Sequence, residues 1–240
     1  HLLGIYPTSL FLTQLFVNKF VPPINEVAFS AYARVQEDGA AVRHGFLKST
    51  RIIMLAGMPF FLGLAASSHA AVAVVLGAKW AQTAPIITLL GFAMPFMTLQ
   101  VILGPTMNAL GRPGIYLRLS VLGAVLLPLA FLLGVQWGVA GIAGAWIVGY
   151  PILVALSVRW ALPVVGVSLR DFLSAIAAPV LAALAMFLAV RLVDGALPAM
   201  SPVLRLAILG AVGGTVYGLW LFGFARERLV ELVDLVRRKG

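Results

Sequence analysis

Residues 4–35, GIYPTSLFLTQLFVNKFVPPINEVAFSAYARV, decide how the rest of the chain is read. The stretch is apolar enough to enter a bilayer, yet near its middle it holds Asn18, Lys19, the pair Pro22 and Pro23, Asn25 and Glu26. A charge at bilayer depth costs about 2.5–3.5 kcal/mol on insertion scales, so it normally faces a bundle interior or a wet cavity. Two consecutive prolines remove two backbone donors, which releases carbonyls near Asn18 and Lys19 and bends or breaks the helix there. Polar side chains and freed backbone coincide, and the stretch is a functional-site candidate. Lys19 and Glu26 are seven residues apart, which puts them on nearly one face of an unbroken helix, two turns from each other.

The composition fits this reading. Of 240 residues, 62% are hydrophobic and 10% charged, with a mean hydropathy of +1.05, whereas about a quarter of a soluble domain is charged. The chain reads as an all-α, polytopic transmembrane helix bundle. Seven apolar segments reach the roughly 20 residues that a 30 Å hydrocarbon core requires. They lie at about 5–33, 47–68, 83–108, 113–134, 139–160, 172–193 and 203–224. Between the second and third, HAAVAVVLGAKW is too short to cross and reads as an interfacial segment anchored by Trp80. After the last, residues 225–239 repeat apolar side chains at helical spacing among five basic ones, which reads as a cytoplasmic amphipathic tail.

The net charge of +9 is spread over alternate loops. Arg34, Arg43, Lys48 and Arg51 occupy the first connection, Arg112 and Arg118 the third, Arg159 and Arg170 the fifth. The intervening connections carry only Lys79, then no charge, then Arg191 and Arg205 partly balanced by Asp194. By the positive-inside rule the basic side is cytoplasmic, so the N-terminus is expected outside and the C-terminus inside. Basic residues distributed in this way do not form the single stacked face that nucleic acid requires.

Chemistry has few places to occur. The chain has no cysteine, and its three histidines are scattered, which leaves no thiolate or zinc site. Outside the first segment the spans hold no acidic residue, and no catalytic motif is present, so an enzyme is not expected. Lys19, with Asn18, Asn25 and the freed carbonyls, would line a cavity for an anionic group. The competing reading is that Lys19 and Glu26 neutralise each other, or that Lys19 snorkels to an interface. Gln100 and Asn108 are weaker candidates, since a lone amide in a span more often bonds a neighbouring helix. Arg34 and its basic neighbours either set topology or also collect phosphate groups at the cytoplasmic mouth.

The segment PPINEVAFSAYARVQEDGAAVRHGFLKSTRIIMLAGMPFFLGL, followed by VVLGAKW, resembles the second half of bacterial polysaccharide flippases, the Wzx-type members of the multidrug/oligosaccharidyl-lipid/polysaccharide superfamily. The resemblance is carried by Val27, Phe29, Ala31, Ala33, Arg34, Gln36, Asp38, Pro59, Leu76, Gly77 and Trp80, with Ser30 where a proline is usual. NALGRP at 108–113 and GVAGIAGA at 138–145 extend it. It implies a transporter of two six-helix lobes and two further C-terminal helices. Residues 1–160 would be the second lobe without its first helix, 161–224 the two extra helices and 225–240 the basic tail; the first lobe would lie upstream of His1. The implied cargo is an undecaprenyl-diphosphate-linked oligosaccharide for exopolysaccharide, capsule or O-antigen, flipped across the bacterial cytoplasmic membrane by alternating access. Lys19 would meet the diphosphate, with Asn18, Asn25, Glu26, Arg34, Gln100 and Asn108 as further binding candidates. No cofactor is implied beyond a coupling proton or sodium ion, for which Glu26 is suited. Membrane lipids, and the polymerase and glycosyltransferases of the same pathway, are the implied partners. Alternatives are a cation-coupled multidrug exporter or a lipid II flippase of the same superfamily and, from another class, a membrane polymerase or acyltransferase.

Overall fold

The computed structural model describes residues 2–224, all of whose regular elements are helical. The basic tail expected at 225–240 lies outside the described residues. Seven long helices stand where seven apolar segments are expected: α1 (Leu2–Arg34), α2 (Gly39–Ala66), α4 (Thr83–Ala109), α5 (Pro113–Gly134), α6 (Gly138–Val165), α7 (Leu169–Ala196) and α8 (Pro202–Phe224). The short α3 (Ser68–Val75) and a 3₁₀ turn at Ala78–Trp80 connect α2 to α4. Five stretches are long and apolar enough to cross a membrane: Gly39–Ala66, Thr83–Ala109, Pro113–Val165, Leu169–Ala196 and Pro202–Gly223. The third of these holds both α5 and α6, which fold back on each other at Val135–Trp137. The first helix is not among them, because Gln14, Asn18, Lys19, Asn25 and Glu26 dilute its apolar character.

Local signals fix the helix ends. Asp38 has extended backbone and its carboxylate accepts the amides of Ala40 and Ala41 at 3.0 Å, so α2 starts beyond it. Ser168 caps α7 by accepting the Asp171 amide at 3.1 Å. Gly166, at φ 72°, ends α6 in the left-handed conformation. The turns at 35–38, 110–112 and 166–168 thus lie at one end of the bundle, where Arg43 of α2 joins Asp171 of α7 at 2.6 Å. At the other end Arg205 of α8 grips Asp194 of α7 at 2.6 Å.

Helix α4 is the centre of the bundle. It packs against α1, α2 and α6, and its buried residues run almost all round it, from Ile87 and Leu90 to Leu103 and Met107. Close approach to α2 needs Gly91, where an added Cβ would stand 2.9 Å from the Phe61 carbonyl oxygen and 2.8 Å from the Ala65 Cβ. The two C-terminal helices attach on the α2 side, α7 along α2 and α8 along α7 and α3.

Prolines inside these helices create a recurrent problem. A proline leaves the carbonyl four residues earlier without its helical donor, and in a bilayer such a group must find another. Pro59 frees the carbonyl of Leu55, and the Tyr217 hydroxyl of α8 donates to it at 2.8 Å. Pro105 frees the carbonyl of Val101, and the Asn25 amide of α1 donates to it at 3.1 Å. In each case a neighbouring helix supplies what the proline removes.

The first of these bonds generates a test. Tyr217→Phe should lower the melting temperature of the detergent-purified protein, at a cost of about 1 kcal/mol. In a Pro59→Ala background, where the residue-59 amide can bond Leu55 again, the same change should cost half as much or less. Equal losses in both backgrounds would contradict the compensation.

Candidate functional site

Of the bend or break expected in α1, the break does not occur. The helix continues from Leu2 to Arg34 through Pro7, Pro22 and Pro23. The reason is where the prolines point: Pro22 and Pro23 lie on the uncovered side, while Phe16, Val17, Val21 and Tyr32 are buried against the bundle before and after them. The helix is therefore held along its packed face, and the carbonyls of Asn18 and Lys19, deprived of their donors, belong to residues that are themselves exposed.

The packed side of α1 uses its polar groups as structural bonds. Ser9 and Thr13 donate to carbonyls one turn back at 2.8 and 3.0 Å. Tyr6 accepts from the Trp146 indole of α6 at 2.7 Å, and the Gln14 amide reaches the Met97 sulfur of α4 at 3.6 Å. Asn25 belongs with this set, since its amide donor is occupied by Val101 of α4.

The uncovered side is different. Asn18, Lys19, Glu26, Ser30 and Arg34 are exposed along it. Among the described residues Lys19 forms no ion pair, and Glu26 does not neutralise it. At 1.5 Å per residue the two lie about 10 Å apart along the axis, beyond a direct contact. Glu26, Ser30 and Arg34 line a shallow depression of about 420 Å³. A second depression, of about 340 Å³, joins Asn25, Glu26 and Ser30 to Pro105 on α4. On the far side of Pro105 a cleft of about 360 Å³ opens between α4, α5 and α6, lined by Gln100, Gly104, Tyr116, Ser120 and Tyr150 among others. A track of mostly apolar surface, with Glu26, Ser30, Gln100 and Ser120 as its polar groups, thus leads from α1 across Pro105 to Gln100.

Gln100 has one arresting property: its Oε1 is buried with no hydrogen-bond partner in the structure. A buried acceptor left unsatisfied costs about 1–3 kcal/mol, so a donor from outside the chain would be favoured there. Asn108, by contrast, is exposed in the last turn of α4, where its carbonyl accepts the Gly111 amide at 3.1 Å. It sits at the end of the bundle beside Arg112 and away from the track. Arg34 is the last residue of α1, at the same end. The structure therefore groups Asn18, Lys19, Glu26 and Arg34 on one helix face, connects Gln100 to it, and assigns Asn25 to packing. Tyr116 and Tyr150, which line the cleft beside Gln100, carry no signal in the sequence that separates them from ordinary span aromatics.

Comparison with known proteins agrees with this architecture. Residues 1–85 match the family model described as polysaccharide biosynthesis protein. The chain is 30% identical over 169 residues to the teichuronic acid biosynthesis protein TuaB of Bacillus subtilis, covering 65% of this chain and 35% of that protein. It is 27% identical over 224 residues to an uncharacterized membrane protein in the cps region of Klebsiella pneumoniae, covering 92% of this chain and 46% of the relative. The lipopolysaccharide biosynthesis protein WzxC of Escherichia coli is 28% identical over 157 residues, 65% of this chain and 32% of its own length. Among solved structures, the lipid II flippase MurJ in an inward closed conformation superposes with a TM-score of 0.72 at 16% identity, over 92% of this chain and 48% of that one. The chain thus spans between a third and a half of the length of these proteins.

Two substitutions separate a packing amide from an open one. Asn25→Leu should lower the melting temperature, at a cost of about 1 kcal/mol, because it strands the Val101 carbonyl. Gln100→Leu should leave the melting temperature unchanged or raise it, because it removes an unsatisfied acceptor. The same thermal measurement on both purified variants checks the contrast.

By its helical fold, its match to the polysaccharide biosynthesis model over residues 1–85 and its relatives in cell-surface polymer synthesis, the chain is similar to multi-pass membrane proteins of bacterial polysaccharide biosynthesis and shares its fold with a solved lipid II flippase.

Proposed function

We propose that the protein containing this chain moves a lipid-diphosphate-linked oligosaccharide across the cytoplasmic membrane by alternating access. The observation that carries the reading is the open face of α1, where Lys19 stands exposed and unpaired beside Asn18 and two carbonyls that prolines have freed. A diphosphate entering a low-dielectric bilayer needs a compensating cation, and an ammonium supplies one as a point charge. The hydroxyls and amides of the neighbouring track suit a sugar, which presents donors and acceptors in every direction: Ser30, Gln100 and Ser120 are all there.

In this reading α1, α2, α4, α5 and α6 are five helices of the second lobe, α7 and α8 are attached to its outer side, and the open face of α1 looks toward the first lobe. Seven crossings with an outside start put the basic end of the bundle in the cytoplasm. Glu26 carries the coupling proton or sodium ion. The names of the relatives in teichuronic acid and lipopolysaccharide synthesis support a surface polymer precursor as cargo. A multidrug exporter for cationic drugs would present several carboxylates, and Glu26 is the one acidic residue on this face within the span.

Lys19→Ala in the full-length protein should cut surface polysaccharide roughly tenfold or more while the protein remains inserted, and Lys19→Arg should retain much of it. Polysaccharide quantified on cells, normalised to membrane protein level, checks this. Normal export by Lys19→Ala would refute the role.

A further inference from the structure

A further hollow lies away from the α1 face. It is a basin of about 1030 Å³ at the end of the bundle where the turns at 35–38, 110–112 and 166–168 converge. Arg43, His44 and Arg112 line it from α2 and from the turn before α5, with Leu47, Leu110 and Val164 forming an apolar wall. These arginines are separated by about seventy residues in the chain and are brought together only by the fold. One of them is held in place. The Arg43 guanidinium donates at 2.6 Å to Asp171, whose carboxylate also accepts the Ser168 hydroxyl at 2.7 Å. Arg112 forms no ion pair among the described residues. After Asp171 offsets one charge the lining keeps a positive excess.

We infer that this basin docks a phosphate group carried on a hydrocarbon chain. Guanidinium groups match phosphate oxygens in planar, two-point geometry, and an apolar wall beside them strengthens the attraction by excluding water. The apolar wall also favours a phosphate with a tail over a free one. The position agrees: the basin lies at the end of the bundle where α2 begins and α4 and α6 end, so a tail can lie along Leu47, Leu110 and Val164 while the phosphate meets the arginines. A solvated face that only sets topology would need neither the convergence of three turns nor the apolar wall. The inference does not depend on the transport reading, since a bilayer phospholipid would satisfy it as well as a cargo lipid.

The test uses the full-length protein in a phosphate-free maltoside detergent without added phospholipid, with farnesyl diphosphate as the probe and equilibrium binding as the readout. Every measurement is made in a Lys19→Ala background, so that the open face of α1 contributes nothing. Saturable binding is expected there, weakened roughly tenfold by Arg112→Ala and further by Arg43→Ala, with Arg112→Lys milder than Arg112→Ala. Arg112→Ala guards against misfolding, because Arg112 is exposed and breaks no ion pair, whereas Arg43→Ala releases Asp171. Inorganic pyrophosphate should bind roughly tenfold or more weakly than the farnesyl compound, since it buries no hydrocarbon. Unchanged affinity in the arginine variants would overturn the site. Loss of binding in Lys19→Ala alone would overturn it too while leaving the transport reading intact, and equal affinity for pyrophosphate would overturn the assignment to a lipid phosphate.

Discussion

A helix that holds a proline within a bilayer must find a hydrogen-bond donor for the carbonyl four residues earlier, and at Pro59 and Pro105 this requirement ties neighbouring helices together. At Leu55 the donor is a tyrosine hydroxyl from α8, which fastens the C-terminal helices to the lobe. At Val101 it is the Asn25 amide, which fastens α1 to α4. At Asn18 and Lys19 no neighbouring helix among the described residues supplies one, and both residues are exposed. Water, or a ligand that replaces it, would be the donor that remains, and the same water would make an ammonium tolerable within an apolar span. Pro22 and Pro23 of α1 thus mark an open face, whereas Pro59 of α2 and Pro105 of α4 mark joints between helices.

The candidate face follows from this difference. One side of α1 has spent its polar groups on α4 and α6, through Tyr6, Gln14 and Asn25. The other side keeps Asn18, Lys19, Glu26 and Arg34 open and continues across Pro105 into the cleft where Gln100 has an unsatisfied oxygen. At the end of the bundle the arginines that would orient the chain in a membrane also converge on a basin, so topology and binding can use the same residues. Anionic cargo arriving from that side would meet Arg43 and Arg112 before it met Lys19.

Much of the fold was legible in the sequence, because apolar runs, caps and turn glycines act locally. Asp38, Ser168 and Gly166 end or begin helices where their chemistry says they should. The continuity of α1 was not legible, since the effect of Pro22 and Pro23 depends on which side of the helix is packed, and that is a tertiary property. The role of Asn25 was hidden for a similar reason: its partner is a carbonyl 76 residues away that only Pro105 makes available. Tyr217 and Leu55, 162 residues apart, form the same kind of pair. Lys19 and Glu26 were recognisable as unusual from their types and depth alone, because a charge in an apolar run is conspicuous whatever surrounds it.

The wetness of the α1 face can be measured directly. The chain has no cysteine, so a single introduced thiol is unique within it. Maleimides react with the thiolate, which forms only where water reaches. In intact membranes of the full-length protein, Lys19→Cys should react with a hydrophilic maleimide, whereas Val17→Cys and Val21→Cys, at positions 3% and 0% exposed, should not. A Lys19→Cys thiol that stays unreactive in the membrane and labels only after denaturation would place that face against lipid and contradict the wet face.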